Sequence, residues 1–419
     1  MSGLMDYEYA LSPTSQFYFC SVPFRLDISP KCTVGCRYCF NLARGGNRNK
    51  TNKFVDPYKI AHKLETVFSN TNRSLDINGE LIQNRMPIHL GGLSDPFSCD
   101  EYMKRTVQIL SILSRYEYPL IISSKQSESM MRDEVLTELK KFKYLTIQIS
   151  IPIPNDKLTH LLEPGAPVFS RRLDNMNALR HEGFHVVARI QPTIPPLIDE
   201  IIVNAIPALK QIGCQHVILE CLKIPVERSA FFASLFKTLA WDGYEYYLKR
   251  GAIIIGRDRV LPPKVAWEHV IGLIEKLRYA GMTYGTTDHG LFHLGNTSCC
   301  CGVAGREGFS GVFKASYANV IRSTSSEYLS FTDVANHWIP LKPIARYVNS
   351  NSRLPGPNTF FTHLRDKWNK PGNVNAPDAY LGVRYTGDQD ENGDCLYDKS
   401  GIRPFLSRID NSVIGEAIS

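Results

Sequence analysis

No run of about 18 consecutive apolar residues occurs in the 419-residue chain, which argues against a membrane-spanning helix. The N-terminal segment "MSGLMDYEYALSPTSQ" lacks the basic start and apolar stretch of a secretory signal. No repeat with a period of about 20–50 residues recurs, and no low-complexity tract is present. A regular, even set of cysteines is missing too. The eleven cysteines form one group at 32–39, one at 299–301, and singles at Cys20, Cys99, Cys214, Cys221 and Cys395. A small secreted disulfide scaffold would be shorter and more evenly spaced. The expectation is a cytoplasmic protein, with no membrane contact, whose thiols bind metal.

What is present points to a globular chain. It is 43% hydrophobic and 21% charged, enough apolar material for a sizeable core. The length suits one large α/β domain of roughly 200–250 residues with additions. The formal net charge of +7 is compatible with a polyanionic partner and does not demand one.

From residue 25 to about 225 the pattern alternates. Strand-like runs at 25–30, 86–92, 118–125, 145–153, 185–196 and 216–222 are separated by amphipathic helical stretches. Such alternation predicts βα units around a parallel sheet. Six units in one sense favour an α/β fold of the partial (β/α)6, TIM-like barrel type, in which chemistry gathers at the C-terminal strand ends. Residues 228–249 read as helical and aromatic-rich, and 263–288 as a helix followed by a strand. Beyond about 310 the chain is rich in Ser, Asn, Pro and Gly, which predicts an irregular C-terminal extension. The expected division is a core over 1–305 and an extension over 306–419.

The segment "SPKCTVGCRYCFNLARGG" carries Cys32, Cys36 and Cys39 directly after the first predicted strand. A structural zinc site wants four ligands, usually in two pairs, and no fourth Cys or His lies nearby. An iron–sulfur cubane is normally held by four thiolates. Three thiolates leave one iron open, as a catalytic metal requires. Zinc and structural thiols remain the alternatives.

The C-x3-C-x2-C spacing, with Tyr38 just before the last cysteine, resembles the radical S-adenosylmethionine (SAM) superfamily. The resemblance implies a [4Fe-4S] cluster on Cys32, Cys36 and Cys39, with SAM bound at the open iron. It also implies reductive cleavage of SAM to a 5′-deoxyadenosyl radical that takes a hydrogen from the substrate, and an electron donor of flavodoxin or ferredoxin type. The segments "HLGGLSDPFSCDE", "IISSKQS" and "LLEPGAPVFSRRLDNMNAL" are similar to the branch related to spore photoproduct lyase. The similarity spans roughly residues 20 to 305. Ser-Cys after "SDPF" and the long extension depart from it, which leaves the substrate open: a nucleic acid by analogy, or a peptide or small metabolite. A non-catalytic metal-binding protein is the alternative from another class.

Within this frame Gly91 and Gly92 resemble the family's methionine-binding glycines, or form a tight turn. Ser94 and Asp95 could accept hydrogen bonds from a ribose or amine, or build an Asp-Pro turn. Ser123, Ser124 and Lys125 end the third strand, where a lysine can meet a carboxylate as a point charge or be a solvated loop residue. Ser150 could touch the nucleoside. Arg172, early in a helix where a cation is disfavoured, suggests pairing with Glu163 or with the cofactor. Arg189 and Glu220 are charges within strands and need partners, so they are assigned to cofactor or substrate. Tyr38 and Phe40 would shield the cluster or pack on the adenine.

Among the remaining cysteines, Cys99 and Cys301 are candidate catalytic hydrogen donors, with buried structural thiols as the alternative. An auxiliary cluster is a third reading of residues 299–301. His289 and His293 are a metal pair if helical. The basic turn with Arg44, Arg48 and Lys50 could grip phosphates or be a solvated loop.

Overall fold

The computed structural model describes residues 11–43, 54–69, 75–288, 290–344, 358–373 and 375–402. The basic turn with Arg44, Arg48 and Lys50, and His289 of the expected histidine pair, lie outside these residues.

The chain opens with a short strand, β1 (Ser12–Pro13), antiparallel to β2 (Phe24–Leu26). Then follow β3 (Ile88–Leu90), β4 (Leu120–Ser124), β5 (Leu145–Ser150), β6 (His185–Thr193) and β7 (His216–Cys221), each parallel to its predecessor. A small antiparallel sheet contains β8 (Ile224–Pro225), β9 (Ile253–Ile255) and β10 (Asp258–Val260), with β10 in the middle. β11 (Thr283–Thr286) then returns to pair in parallel with β7. The main sheet has eight strands in the order β1-β2-β3-β4-β5-β6-β7-β11. Strands adjacent in sequence are thus adjacent in space, as right-handed βα crossovers produce.

The helices bury one stripe each. In Asp100–Arg115 the buried residues Tyr102, Met103, Thr106, Ile109, Leu110 and Leu113 recur at helical spacing. Asp100 and Glu101 open that helix and Arg115 closes it, the polarity its dipole favours. Among the described residues no helix is long and apolar enough to cross a membrane.

The two faces of the sheet differ. Leu26, Ile88, Leu90, Leu120, Ile122, Ile147 and Ile149 join the main apolar core. The intervening residues include Arg25, His89, Ser123, Gln148, Arg189 and Glu220, which strand alternation places on the other face. Their register is staggered. Arg25 opposes His89 and Ser123 opposes Gln148, but His89 opposes Ile121, and Arg189 opposes Ser150 rather than Gln148. A polar layer that climbs from strand to strand is what strand stagger produces in a curved sheet.

One expectation is refined and another needs correction. Residues 228–249 form two helices, Ala230–Thr238 and Gly243–Lys249. Ala240 takes a positive φ of 46°, and the Asp242 side chain caps the second helix through Glu245 N at 3.0 Å. The C-terminal part is more regular than expected. β12 (Tyr328–Leu329), β13 (Arg384–Gln389) and β14 (Cys395–Asp398) form an antiparallel sheet with β14 central. Helices Tyr317–Ser323 and Phe360–Trp368 pack with it, and Trp368 donates to the Cys395 carbonyl at 2.7 Å. These pieces are short and paired over distance, so periodicity within any one of them is weak.

Candidate cofactor site and adjoining cavity

The cysteine loop leaves β2 and is fastened from behind. Arg37 N donates to Leu162 O at 2.8 Å, and Gly165 N to Val34 O at 2.9 Å. A methyl on Gly165 would come within 2.8 Å of the Val34 carbonyl. The Glu-Pro-Gly turn at 163–165 is therefore a backing for the cysteine loop. Cys39 N donates to Cys36 O, and Ala43 N to Cys39 O, starting the helix Phe40–Ala43.

Cys32, Cys36 and Cys39 all line one cavity of about 320 Å³. Tyr38, Phe40, Gly91, Gly92, Ser94 and Asp95 line it as well. Ser124, Lys125, Ser150, Arg189 and Glu220 complete the sequence-derived set there. These residues come from the ends of β2 to β7, so the parallel sheet brings together segments nearly 190 residues apart. Burial pushes the Cys32 thiol up to about 12, helped by the charge of Asp95. Burial also raises Cys36 well above the usual thiol range, with Lys125 opposing. Such thiols keep their protons until a metal displaces them.

Beneath the loop lies a buried carboxylate. Glu163 is 0% exposed and Arg172 is 1% exposed. Glu163 accepts hydrogen bonds from Arg172 and from the Tyr38 hydroxyl, and pairs with Lys125 Nζ at 3.0 Å. Arg172 also donates to Pro167 O and to Ser150 O, both at 2.7 Å. Its guanidinium is fully engaged and does not line the cavity, so the structure assigns it to Glu163 rather than to direct cofactor contact. Burial lowers Lys125 to about 8.

Asp95 is a turn organiser. It accepts from Ser124 Oγ at 2.8 Å, from Lys125 N at 2.6 Å and from Phe97 N at 3.0 Å. Gly91 has a φ of +89°, and an added methyl would run into the Ser123 carbonyl. The fold alone demands that glycine. Ser94 differs: its hydroxyl is buried, lines the cavity and has no hydrogen-bond partner.

A second cavity, of about 290 Å³, adjoins the first and shares Gln16, Arg25, Arg189, Gln191, Glu220 and Lys223 with it. It is lined further by Phe19, His89, Gln148, Phe292, Cys300 and Cys301. Residues 299–303 plug the polar face of the sheet. The Cys300 carbonyl accepts from His216, Cys301 from Gln148 and Gly302 from His185, at 2.9–3.0 Å. Cys301 thus reaches a cavity. Cys99 is exposed at the start of Asp100–Arg115 and lines neither cavity. His293 is buried in the turn Phe292–Leu294.

Sequence reasoning missed Arg25, His89, Gln148 and Lys223. The signal for Arg25 was present, since it is a charge inside the strand-like "RLDISP", the same argument applied to Arg189.

The donor set suits the implied cofactors. Three thiols and an unpartnered buried hydroxyl open onto one cavity. No three His, Cys, Asp or Glu side chains among the described residues are grouped as a single-ion site. Three thiols at one cavity match the number of protein thiolates that leaves one iron of a four-iron cluster open.

No family model matches the chain. A radical SAM Nalpha-GlyT isomerase of Pseudomonas phage M6 is 23% identical over 192 residues, which is 45% of this chain. The match spans 37% of that protein. Among solved structures, a point mutant of spore photoproduct lyase is 14% identical, with a TM-score of 0.48 over 65% of this chain and 78% of that one. Streptococcus suis SuiB bound to precursor peptide SuiA is 14% identical, with a TM-score of 0.36 over 57% and 49% of the two chains. In its cysteine motif, in the place of that motif after the first strand of the parallel array, and over the 192 residues matched to the phage protein, the chain is similar to radical S-adenosylmethionine enzymes.

Proposed function

We propose that the protein is a radical SAM enzyme that cleaves SAM reductively at a [4Fe-4S] cluster held by Cys32, Cys36 and Cys39. The observation that carries this reading is the single cavity edged by those three thiols, Lys125 and the unpartnered Ser94 hydroxyl. With both cofactors bound, the site would supply a one-electron cleavage yielding a 5′-deoxyadenosyl radical able to take hydrogen from a substrate.

The chain's own residues have separable tasks in this reading. Lys125, anchored by Glu163, provides a positive charge for a carboxylate. Ser94 and Ser150 offer hydroxyls to a nucleoside or amine, Ser124 holds Asp95 in place through its own hydroxyl, and Gly91 and Gly92 leave backbone exposed beside the thiols. Tyr38 and Phe40 wall the cluster from water, which protects a radical. Cys301, at the second cavity, serves as a thiol hydrogen donor. The climbing polar layer supports a partial (β/α) barrel, with 1–305 as the catalytic core and 306–419 as an extension that sends Asn375 into the second cavity.

The first substrate reading is a nucleic acid or nucleotide, supported by the net charge of +7 and the cations in the second cavity. A flavodoxin- or ferredoxin-type donor in the cytoplasm would supply the electron.

The test is anaerobic reconstitution of the full chain with iron and sulfide, followed by reduction with SAM present. A brown protein that forms 5′-deoxyadenosine is the expected result. Zinc bound near one equivalent, with no cleavage, would refute the enzyme reading. Salt-sensitive binding of DNA or RNA is expected if nucleic acid is the substrate, and no binding at low salt refutes that part.

A further inference from the structure

Two guanidinium groups meet on the polar face of the sheet without a carboxylate between them. Arg25 donates to His89 Nδ1. Arg189 donates to Ser123 Oγ at 2.5 Å, to Gln148 Oε1 at 3.1 Å and to Gln191. No carboxylate oxygen of the described residues forms an ion pair with either within 4.0 Å. The Arg189 Nε is buried and has no hydrogen-bond partner.

His89 lies between the two. Its Nδ1 accepts from Arg25, which leaves Nε2–H to donate to Ser123 Oγ at 2.6 Å. Ser123 donates to Gln148 Oε1 at 2.8 Å, and Gln148 donates to the Cys301 carbonyl at 3.0 Å. The ring is neutral, because burial and the two guanidinium charges push its pKa well below the usual value. It orients the arginines and neutralises neither.

Lys223 also faces the second cavity, but it pairs with Glu220. Of the charged groups lining this cavity, Arg25, Arg189 and Lys223 are cations and Glu220 is the carboxylate, and the hydrogen bonds of Glu220 go to Lys223 and Gln191 rather than to either arginine. Buried charges without partners are costly. Arg172 shows the alternative in the same protein, since it has Glu163. The second cavity also contains Phe19 and Phe292, whose rings stack with centroids 5.6 Å apart and planes inclined by 26°. That is an apolar wall suited to a flat group.

We propose that the second cavity is the substrate subsite and takes an oxyanion, a carboxylate or a phosphate, carried on a planar group, with Arg25 and Arg189 as its two guanidinium partners. The word substrate rests on the radical SAM reading; the anion site does not. Guanidinium forks match carboxylate and phosphate geometry, and the shared wall with the cysteine-lined cavity would place the bound group beside the cofactor.

The test is calorimetric titration of the full-length, reconstituted protein, with SAM at saturation, using benzoate in one arm and inorganic phosphate in the other. At least one anion is expected to bind. Arg25→Gln and Arg189→Gln should each weaken it by about tenfold or more, the scale of a lost charged hydrogen bond. Arg25→Lys, which keeps the charge and loses the fork, should weaken it less. Tighter benzoate identifies a substrate carboxylate, and tighter phosphate a phosphate.

No binding of either anion to the wild-type protein overturns the proposal. Binding that either glutamine variant leaves unchanged overturns it too. Anion binding that SAM displaces also overturns it, because the pair would then hold the cofactor's own carboxylate. That competition uses the wild-type protein, so it decides the question even where a variant fails to fold. Anion binding in a protein that never cleaves SAM would refute the enzyme reading and leave the site standing.

Discussion

The two cysteine triplets have the same residue count and different surroundings. Cys32, Cys36 and Cys39 are spaced along a loop, and all three thiols open onto a cavity. Cys299, Cys300 and Cys301 are consecutive, and their segment is held by its backbone. Its carbonyls accept from His216, Gln148 and His185. Cys299 and Cys301 pack among Val22, Ile121, Val303 and Phe309. The gaps in the first group let its loop bring all three thiols to the cavity of about 320 Å³, whereas of the second group Cys300 and Cys301 line the adjoining cavity and Cys299 does not. Four experiments sharpen this contrast.

The largest effect is expected from Cys36→Ala. Loss of one of three thiolates should reduce bound iron and sulfide, and 5′-deoxyadenosine formation, to background. Iron analysis and product assay check it, and a cluster retained at full occupancy would contradict the assignment.

Next comes the support under the first triplet. Glu163→Ala leaves Arg172 buried without its carboxylate and frees Lys125 and Tyr38. A cost of about 3–5 kcal/mol is expected, read by chemical unfolding.

The support under the second triplet is pH-sensitive instead. Burial lowers His216 and His185 to about 4, from the usual 6.5. Unfolded, they take up protons below 6.5; folded, they do so only near 4. Stability therefore falls as pH drops from 6.5 toward 4, by up to about 3 kcal/mol for the more deeply buried His216. Unfolding midpoints at several pH values test this, and His216→Gln should flatten the acid limb.

The smallest effect is expected for Cys299→Ala. It removes one buried sulfur from an apolar cluster, so a loss of about 1 kcal/mol with unchanged iron content is predicted. Lost iron here would erase the distinction between the triplets.

Much of the fold was legible because each βα unit carries its own local signal. The runs "YPLIISSK" and "LTIQISIPI" contain β4 and β5, and "CDEYMKRTVQILSILSRY" contains the helix Asp100–Arg115. The antiparallel sheet of β12 to β14 was not legible, since its pairing joins Tyr328 to Asp398 across a long separation. In the site, the cysteine loop and the strand-end segments were readable from spacing. Arg172 was expected to choose between Glu163 and the cofactor, and only packing made the choice. Cys99 looked close to the chemistry along the chain, yet helix Asp100–Arg115 begins there and leaves it exposed.

The amino-acid sequence by itself determined the three spaced thiols, the alternation that makes a parallel sheet, and the charges inside strands. Those features follow from short-range spacing, which periodicity exposes. The tertiary structure alone decided which charges are neutralised. Glu163 reaches Arg172 and Lys125 because a helix and a strand end converge on the same turn. Arg25 and Arg189 sit on strands staggered so that His89 and Ser123, not a carboxylate, come between them. Electrostatic partnership depends on distance through space, and sequence separation carries no record of that.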